Sequence, residues 1–195
     1  MIDSLFALGI ILHQEGRYLE ALKVYKQVLR EDSANADAWF TMALLYDDIN
    51  MPDSALWAYS RALALDSLNE RAWFNMALLY EDLGKPDSAE ACYRKALSLK
   101  EPYPKASYNL GLLLASEGRL DSAERYLKET VDASPDYAEA WLALAKVYEE
   151  RGMRDDAVAC LAMALKLNPR FEGYASSDEV LSEVYADPRL KELLK

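Results

Sequence analysis

The sequence predicts an all-α fold: a solenoid of five helix–turn–helix units followed by short C-terminal capping helices. Three observations predict it. A residue pattern returns every 34 positions through most of the chain, and self-similarity at a fixed period marks a repeat array. Each recurrence holds two apolar stretches at helical spacing. Between the two stretches stands Gly16, Asn50, Gly84, Gly118 or Gly152, residue types that tolerate the left-handed conformation just past a helix end.

The columns of the repeat are legible position by position. The first helix opens on Leu5, Trp39, Trp73, Ser107 and Trp141. Three residues on come Leu8, Met42, Met76, Leu110 and Leu144, with Gly9, Ala43, Ala77, Gly111 and Ala145 beside them. Leu12, Tyr46, Tyr80, Leu114 and Tyr148 follow. The second helix carries Ala21, Ala55, Ala89, Ala123 and Ala157, then Tyr25, Tyr59, Tyr93, Leu127 and Leu161. The small columns let helices approach closely and the aromatic columns fill the space between them. Asp53, Asp87, Asp121 and Asp155 sit near the start of the second helices, where a carboxylate suits the helix dipole.

These columns resemble the tetratricopeptide repeat, W-x2-L-G-x2-Y…A-x3-F…P at 34 residues. The resemblance covers residues 1–171 as units at about 2–35, 36–69, 70–103, 104–137 and 138–171, leaving 172–195 as capping helices. It departs at the closing proline, present as Pro135 and Pro169, replaced by Ser33 and Ser67, and displaced as Pro102. The resemblance implies a right-handed α-solenoid, a concave face lined by the first helices, and a non-enzymatic scaffold that binds a protein segment there.

Taken in order, unit one presents an apolar Ile11 where later units have Leu45, Leu79, Leu113 and Val147. A terminal repeat normally has a polar outer face. The reading is therefore a fragment of a longer array, self-association through this end, or a mildly apolar terminus. Unit two carries Trp57 where other units have Lys23, Ala91, Arg125 and Ala159, which points it outward, as a contact anchor or as a cover for the neighbouring helix. The joint Lys100-Glu101-Pro102-Tyr103-Pro104, with Ser107 in the Trp column, predicts altered packing. After unit five, Ser176 and Glu179 form a capping-box pattern that predicts a helix to about Ala186, with Val180, Leu181 and Val184 inward. Asp187-Pro188 starts a last helix whose Leu190, Leu193 and Leu194 are expected to face inward.

The columns expected on the concave face are Phe6, Phe40, Phe74, Tyr108 and Leu142, then Ile10, Leu44, Leu78, Leu112 and Lys146. Phe40, Leu44, Phe74, Leu78 and Tyr108 are the candidate floor. Asn75 and Asn109 are candidate donors to an extended peptide backbone, as in the asparagine ladder of some relatives. Asp47, Asp48, Glu81 and Asp82 are the candidate steering charge. The expected partner is a protein or peptide with apolar or aromatic residues and basic ones. Relatives that grip a C-terminal carboxylate use Lys and Asn where this floor has Phe and Leu; Lys105 alone matches them, and a buried carboxylate needs paired cations.

With 22 basic and 33 acidic residues the net charge is −11, which disfavours nucleic acid or an anionic membrane as partner. No stretch reaches the length of a membrane span. Repeat pattern begins almost at Met1, with no signal peptide, so a complete chain is expected in the cytoplasm. Cys92 and Cys160 lie two units apart, too far for a disulfide. His13, expected to face water, is as far from Cys92, so no Cys–His pair is expected. No spacing suits a metal, and lone helix-ending glycines form no phosphate loop. No catalytic residue, metal ligand or cofactor is therefore expected.

Overall fold

The computed structural model describes residues 2–195, which fall into two compact units, with the boundary in the chain between Leu99 and Lys100. Both are built wholly from helices in consecutive packed pairs.

Unit 1 holds three pairs. They are α1 (Ile2–Gln14) with α2 (Tyr18–Glu31), α3 (Ala36–Asp48) with α4 (Pro52–Leu65), and α5 (Glu70–Asp82) with α6 (Pro86–Leu99). Each pair packs internally, and α2 packs on α3 as α4 packs on α5. Unit 2 holds α7 (Pro104–Ser116) with α8 (Leu120–Ala133) and α9 (Ala138–Glu150) with α10 (Arg154–Leu167). Three short helices follow, α11 (Phe171–Ser177), α12 (Ser182–Tyr185) and α13 (Pro188–Leu193), all packed on α10.

The turn inside each pair has one cause. Gly16, Asn50, Gly84, Gly118 and Gly152 all adopt positive φ, from 56° at Asn50 to 74° at Gly16. This lets the next amide reach back across the helix end: Met51 N–H donates to the Tyr46 carbonyl at 2.8 Å, as Lys85 does to Tyr80 and Arg17 to Leu12. The helix thus satisfies a terminal carbonyl and reverses direction in the same step. Asn35 and Asn69 cap α3 and α5 by accepting from the backbone N–H of Ala38 and Ala72, a cap that the columns alone did not reveal.

The Trp column has a polar anchor as well as a packing role. The indole N–H of Trp39 donates to the Ser33 carbonyl at 3.0 Å, Trp73 to Ser67 at 3.0 Å and Trp141 to Pro135 at 2.9 Å. The acceptor is a backbone carbonyl, so serine serves where the family pattern has proline. Trp39 is buried, while Trp73 and Trp141 are half-buried. The small columns are as tight as expected: a Cβ on Gly9 would come within 2.5 Å of the Tyr25 ring, and one on Gly111 within 2.8 Å of Leu127.

The C-terminal segment differs from the sequence expectation. The single helix expected from Ser176 to about Ala186 is divided: Phe171–Ser177 is helical before it, Asp178 interrupts, and within the expected span only Ser182–Tyr185 is α-helical. The Ser176 and Ser177 hydroxyls turn back to the Gly173 carbonyl rather than capping forward. Asp178 takes the capping role, accepting from the backbone N–H of Val180 and Leu181 at 3.1 Å. Leu181, Val184 and Leu190 are buried as expected, but Leu193 and Leu194 are exposed. Both thiols are free and buried; burial pushes Cys92 up to about 11 and, with Asp156 adding, Cys160 up to about 12.

Candidate functional site

In unit 1 the first helices place one aromatic of each repeat against the tyrosine of its own second helix. Phe6 meets Tyr25 with ring centroids 6.1 Å apart, Phe40 meets Tyr59 at 6.1 Å and Phe74 meets Tyr93 at 5.9 Å. The tilts lie between 52° and 54°, so the period is kept to the orientation of the rings. Phe40 is buried, with the Arg71 guanidinium over its ring at 5.2 Å. Phe74, Leu44 and Leu78 are half-buried. The surface of this floor therefore belongs to Phe74, Leu44, Leu78 and Arg71, with Phe40 beneath. Arg71 escaped the column reading because its reach over Phe40 depends on how α5 packs beside α3.

Asn75 is half-buried and spends one amide hydrogen on the Arg71 carbonyl at 2.8 Å. Thr41, one repeat earlier in the column, likewise bonds back to Asp37.

The acidic candidates converge at the C-terminal ends of α3 and α5. No basic residue occupies the last turn of either helix, where the dipole disfavours carboxylates. Asp47 is raised above its ordinary value by burial, then by Asp82 and Asp48. Glu81 is raised by burial, against a hydrogen bond donated by Tyr93 that lowers it, with Asp82 adding to the rise. His13 is not free in water as expected: it is half-buried, edge-on to Tyr18 at 5.7 Å, with Nε2 2.6 Å from an Asp48 carboxylate oxygen. The tyrosines show why the acid's length matters. Tyr93 donates to Glu81, whereas Tyr59, facing the shorter Asp47 in the same column, has a buried hydroxyl with no partner.

Raised carboxylates make a testable pH dependence. The folded state binds protons on Asp47 and Glu81 more readily than the unfolded chain. Their ionisation thus opposes folding at neutral pH, and stability grows as pH falls through their folded values toward 3.8 and 4.5. At Asp178 in unit 2 the sign is opposite. Burial works to raise Asp178, but hydrogen bonds from Lys146, Tyr174 and the Leu181 backbone outweigh it and hold the carboxyl at about 2. That contribution is complete above 3.8 and is lost as pH falls toward 2. Melting followed from about pH 7 to pH 2 is expected to rise first and then fall. Asp47→Asn with Glu81→Gln is expected to flatten the rise and leave the fall.

In unit 2, Tyr108 and Leu112 of α7, Leu142 and Lys146 of α9 and Phe171 and Tyr174 of α11 line a cavity of about 330 Å³. Tyr108 stacks near Tyr137, centroids 4.9 Å apart; burial, then Tyr137, pushes its hydroxyl up to about 12. Asn109 is half-buried. Lys146 donates to the Tyr174 hydroxyl and to Asp178, both at 2.7 Å, so α11 is tied to the face that the columns assigned to ligand. Phe171 ends the last unit, in the column of Tyr103 and Tyr137, whereas Tyr174 lies beyond the period, where no column points to it.

Among the described residues no group of three His, Cys, Asp or Glu side chains could hold a metal ion. No helix there is long and apolar enough to cross a membrane.

Comparison with known proteins agrees with this architecture. No curated protein sequence matches the chain. The structure of MamA superposes with a TM-score of 0.78 at 25% identity, covering 89% of this chain and 94% of that one. YrrB, a tetratricopeptide-repeat protein with an unusual peptide-binding site, superposes with a TM-score of 0.74 at 23% identity over 92% of this chain and 88% of its own. PilF of Pseudomonas aeruginosa does so with 0.71 at 21% identity over 98% and 91%. A tetratricopeptide-repeat model matches residues 12–56. Residues 50–168, more than half of the chain, match the model of the cilia and flagella-associated protein 70 middle TPR-like domain. By these matches the chain belongs to the tetratricopeptide-repeat family.

Proposed function

We propose that this chain is a non-enzymatic scaffold that holds a protein segment against the floor of its first helices. In unit 1 the floor presents Leu44, Phe74 and Leu78, with Phe40 beneath Arg71 and Asn75 free to offer its second amide hydrogen. Asp47, Asp48, Glu81 and Asp82 edge it. In unit 2 Tyr108 and Asn109 are the corresponding candidates. The observation that carries the reading is the acid cluster. Carboxylates at helix C-termini, raised by burial and by one another, oppose local stability, and a basic segment would relieve them. The apolar floor beside them selects a segment that also carries Leu, Phe or similar residues. The peptide-binding site of YrrB makes this use of the fold a precedent.

The test is a titration of a labelled peptide alternating Lys or Arg with Leu or Phe, against the protein and its Asp82→Lys variant. Asp82 is exposed, so the change is tolerated. Removing the repulsion and reversing the charge at the end of α5 is expected to raise stability by about 0.3–1 kcal/mol. Binding is expected to weaken several-fold, more at low salt. Equal binding by both proteins would count against the acid edge as the steering element.

A second reading, self-association through the first repeat, has its own observation. Ile11 is 51% exposed and Leu8 44%, while the residues in the same columns of α3, Leu45 and Met42, are 0% and 2% exposed. If that face joins copies, the mass by sedimentation falls on dilution, and Ile11→Lys leaves a monomer at every concentration.

A further inference from the structure

Between α2, α3 and α4 of unit 1 lies an open pocket of about 390 Å³ that none of the floor residues lines. Its apolar wall is Leu29, Met42 and the Trp39–Trp57 pair, whose rings meet edge to face at 4.8 Å and 87°. Trp39 is buried and its indole N–H is already bonded to the Ser33 carbonyl. Trp57 is 51% exposed, and its indole N–H has no hydrogen-bond partner among the described residues.

The charge around this pair sets it apart from the same place in other repeats. Lys26 and Arg30 line the pocket, and the Arg61 guanidinium lies 5.6 Å from the Trp39 ring centre. All three are exposed, and none has an ion pair among the described residues. The cations in the Lys26 column of later repeats are neutralised one turn earlier on their own helix: Arg94 by Glu90 at 2.7 Å and Lys128 by Glu124 at 3.6 Å. Beside Lys26 that acid is replaced by Leu22, and one turn before Arg61 stands Trp57 itself. In a chain of net charge −11, this is a local positive field next to exposed aromatic surface. Such a field draws an anionic segment that the rest of the molecule repels.

The geometry points to a second binding site here, for an acidic peptide segment carrying an apolar or aromatic anchor. The anchor lies on Trp57, at the mouth of the pocket that Leu29 and Met42 line. The flanking carboxylates meet Lys26, Arg30 and Arg61 and accept from the Trp57 indole N–H. Nucleic acid fits less well: the two indoles meet edge to face and Arg61 lies over Trp39, so there is no open platform for successive bases. The site differs from the acid-edged floor in both charge and position, and its ligand is the opposite of the floor's.

The test is fluorescence anisotropy with a labelled nine-residue peptide of Asp and Glu around a central Phe. The same peptide with Ala at its centre, its Asn/Gln counterpart and a nine-nucleotide oligo-dT are run beside it. Substitutions are taken from the repeat's own columns, so that the helices tolerate them. Trp57→Ala copies Ala91 and Ala159, and Lys26→Ser with Arg61→Gln copies Ser60 and Gln27. The acidic Phe peptide is expected to bind saturably and more weakly as salt rises. Each of these variants weakens it at least tenfold with unchanged circular dichroism, and Leu44→Glu with Leu78→Glu leaves it unchanged. The proposal is overturned by no binding to the parent protein, by equal binding to the pocket variants, by loss only in the floor variant, or by preference for the oligonucleotide.

Discussion

Trp39→Ala is expected to lower stability by about 3–5 kcal/mol, the usual cost of emptying a buried aromatic site. Trp39 is 8% exposed and stands at the meeting of α2, α3 and α4. The truncation removes the indole, leaves the Ser33 carbonyl without its donor, and strips Trp57 and Arg61 of the ring they pack on. For a chain of this size the loss corresponds to a fall in melting temperature of roughly 6–20 °C. Calorimetry of Trp39→Ala beside Trp73→Ala makes the comparison internal. Trp73 donates to Ser67 in the same way but is only half-buried, so its loss is expected to cost less. Equal losses would mean that the hydrogen bond, common to both, outweighs burial.

What the sequence could and could not reveal follows from which interactions the period encodes. Helix starts fall at Ile2, Ala36, Glu70, Pro104 and Ala138, 34 residues apart, because turn chemistry and column packing are local to each repeat and appear five times. The C-terminal segment appears once. There the Ser176–Glu179 capping pattern competed with Asp178, two residues on, and Asp178 won because it also meets Lys146 from α9. Such a contact, from 32 residues away, has no local signature. The site divides in the same way. That Asp47, Asp48, Glu81 and Asp82 fall at the C-terminal ends of α3 and α5 was legible from their shared columns. That Phe40 lies beneath Arg71 while Phe74 reaches the surface was not, since the two have the same column and differ in their neighbours. His13 was misplaced for this reason too: its partner Asp48 belongs to the next repeat.

The second large effect concerns the floor itself. Leu44 and Leu78 occupy one column, are half-buried, and present their remaining surface beside the acid cluster. A glutamate there meets water in the free protein. A bound apolar side chain would bury it, and burying an unpaired carboxylate is costly enough to forbid the contact. Leu44→Glu with Leu78→Glu is therefore expected to weaken the binding of a basic, apolar peptide at least a hundredfold, while helicity is kept. Phe40→Glu is a poor substitute, because Phe40 is 5% exposed and a charge there would unfold the repeat. The most direct measurement is the titration of that peptide into the parent protein and the double variant, with circular dichroism on both. The account predicts saturable binding to the parent and none to the variant at the same concentrations. Undiminished binding by a folded variant would contradict it and take the ligand off the floor of the first helices.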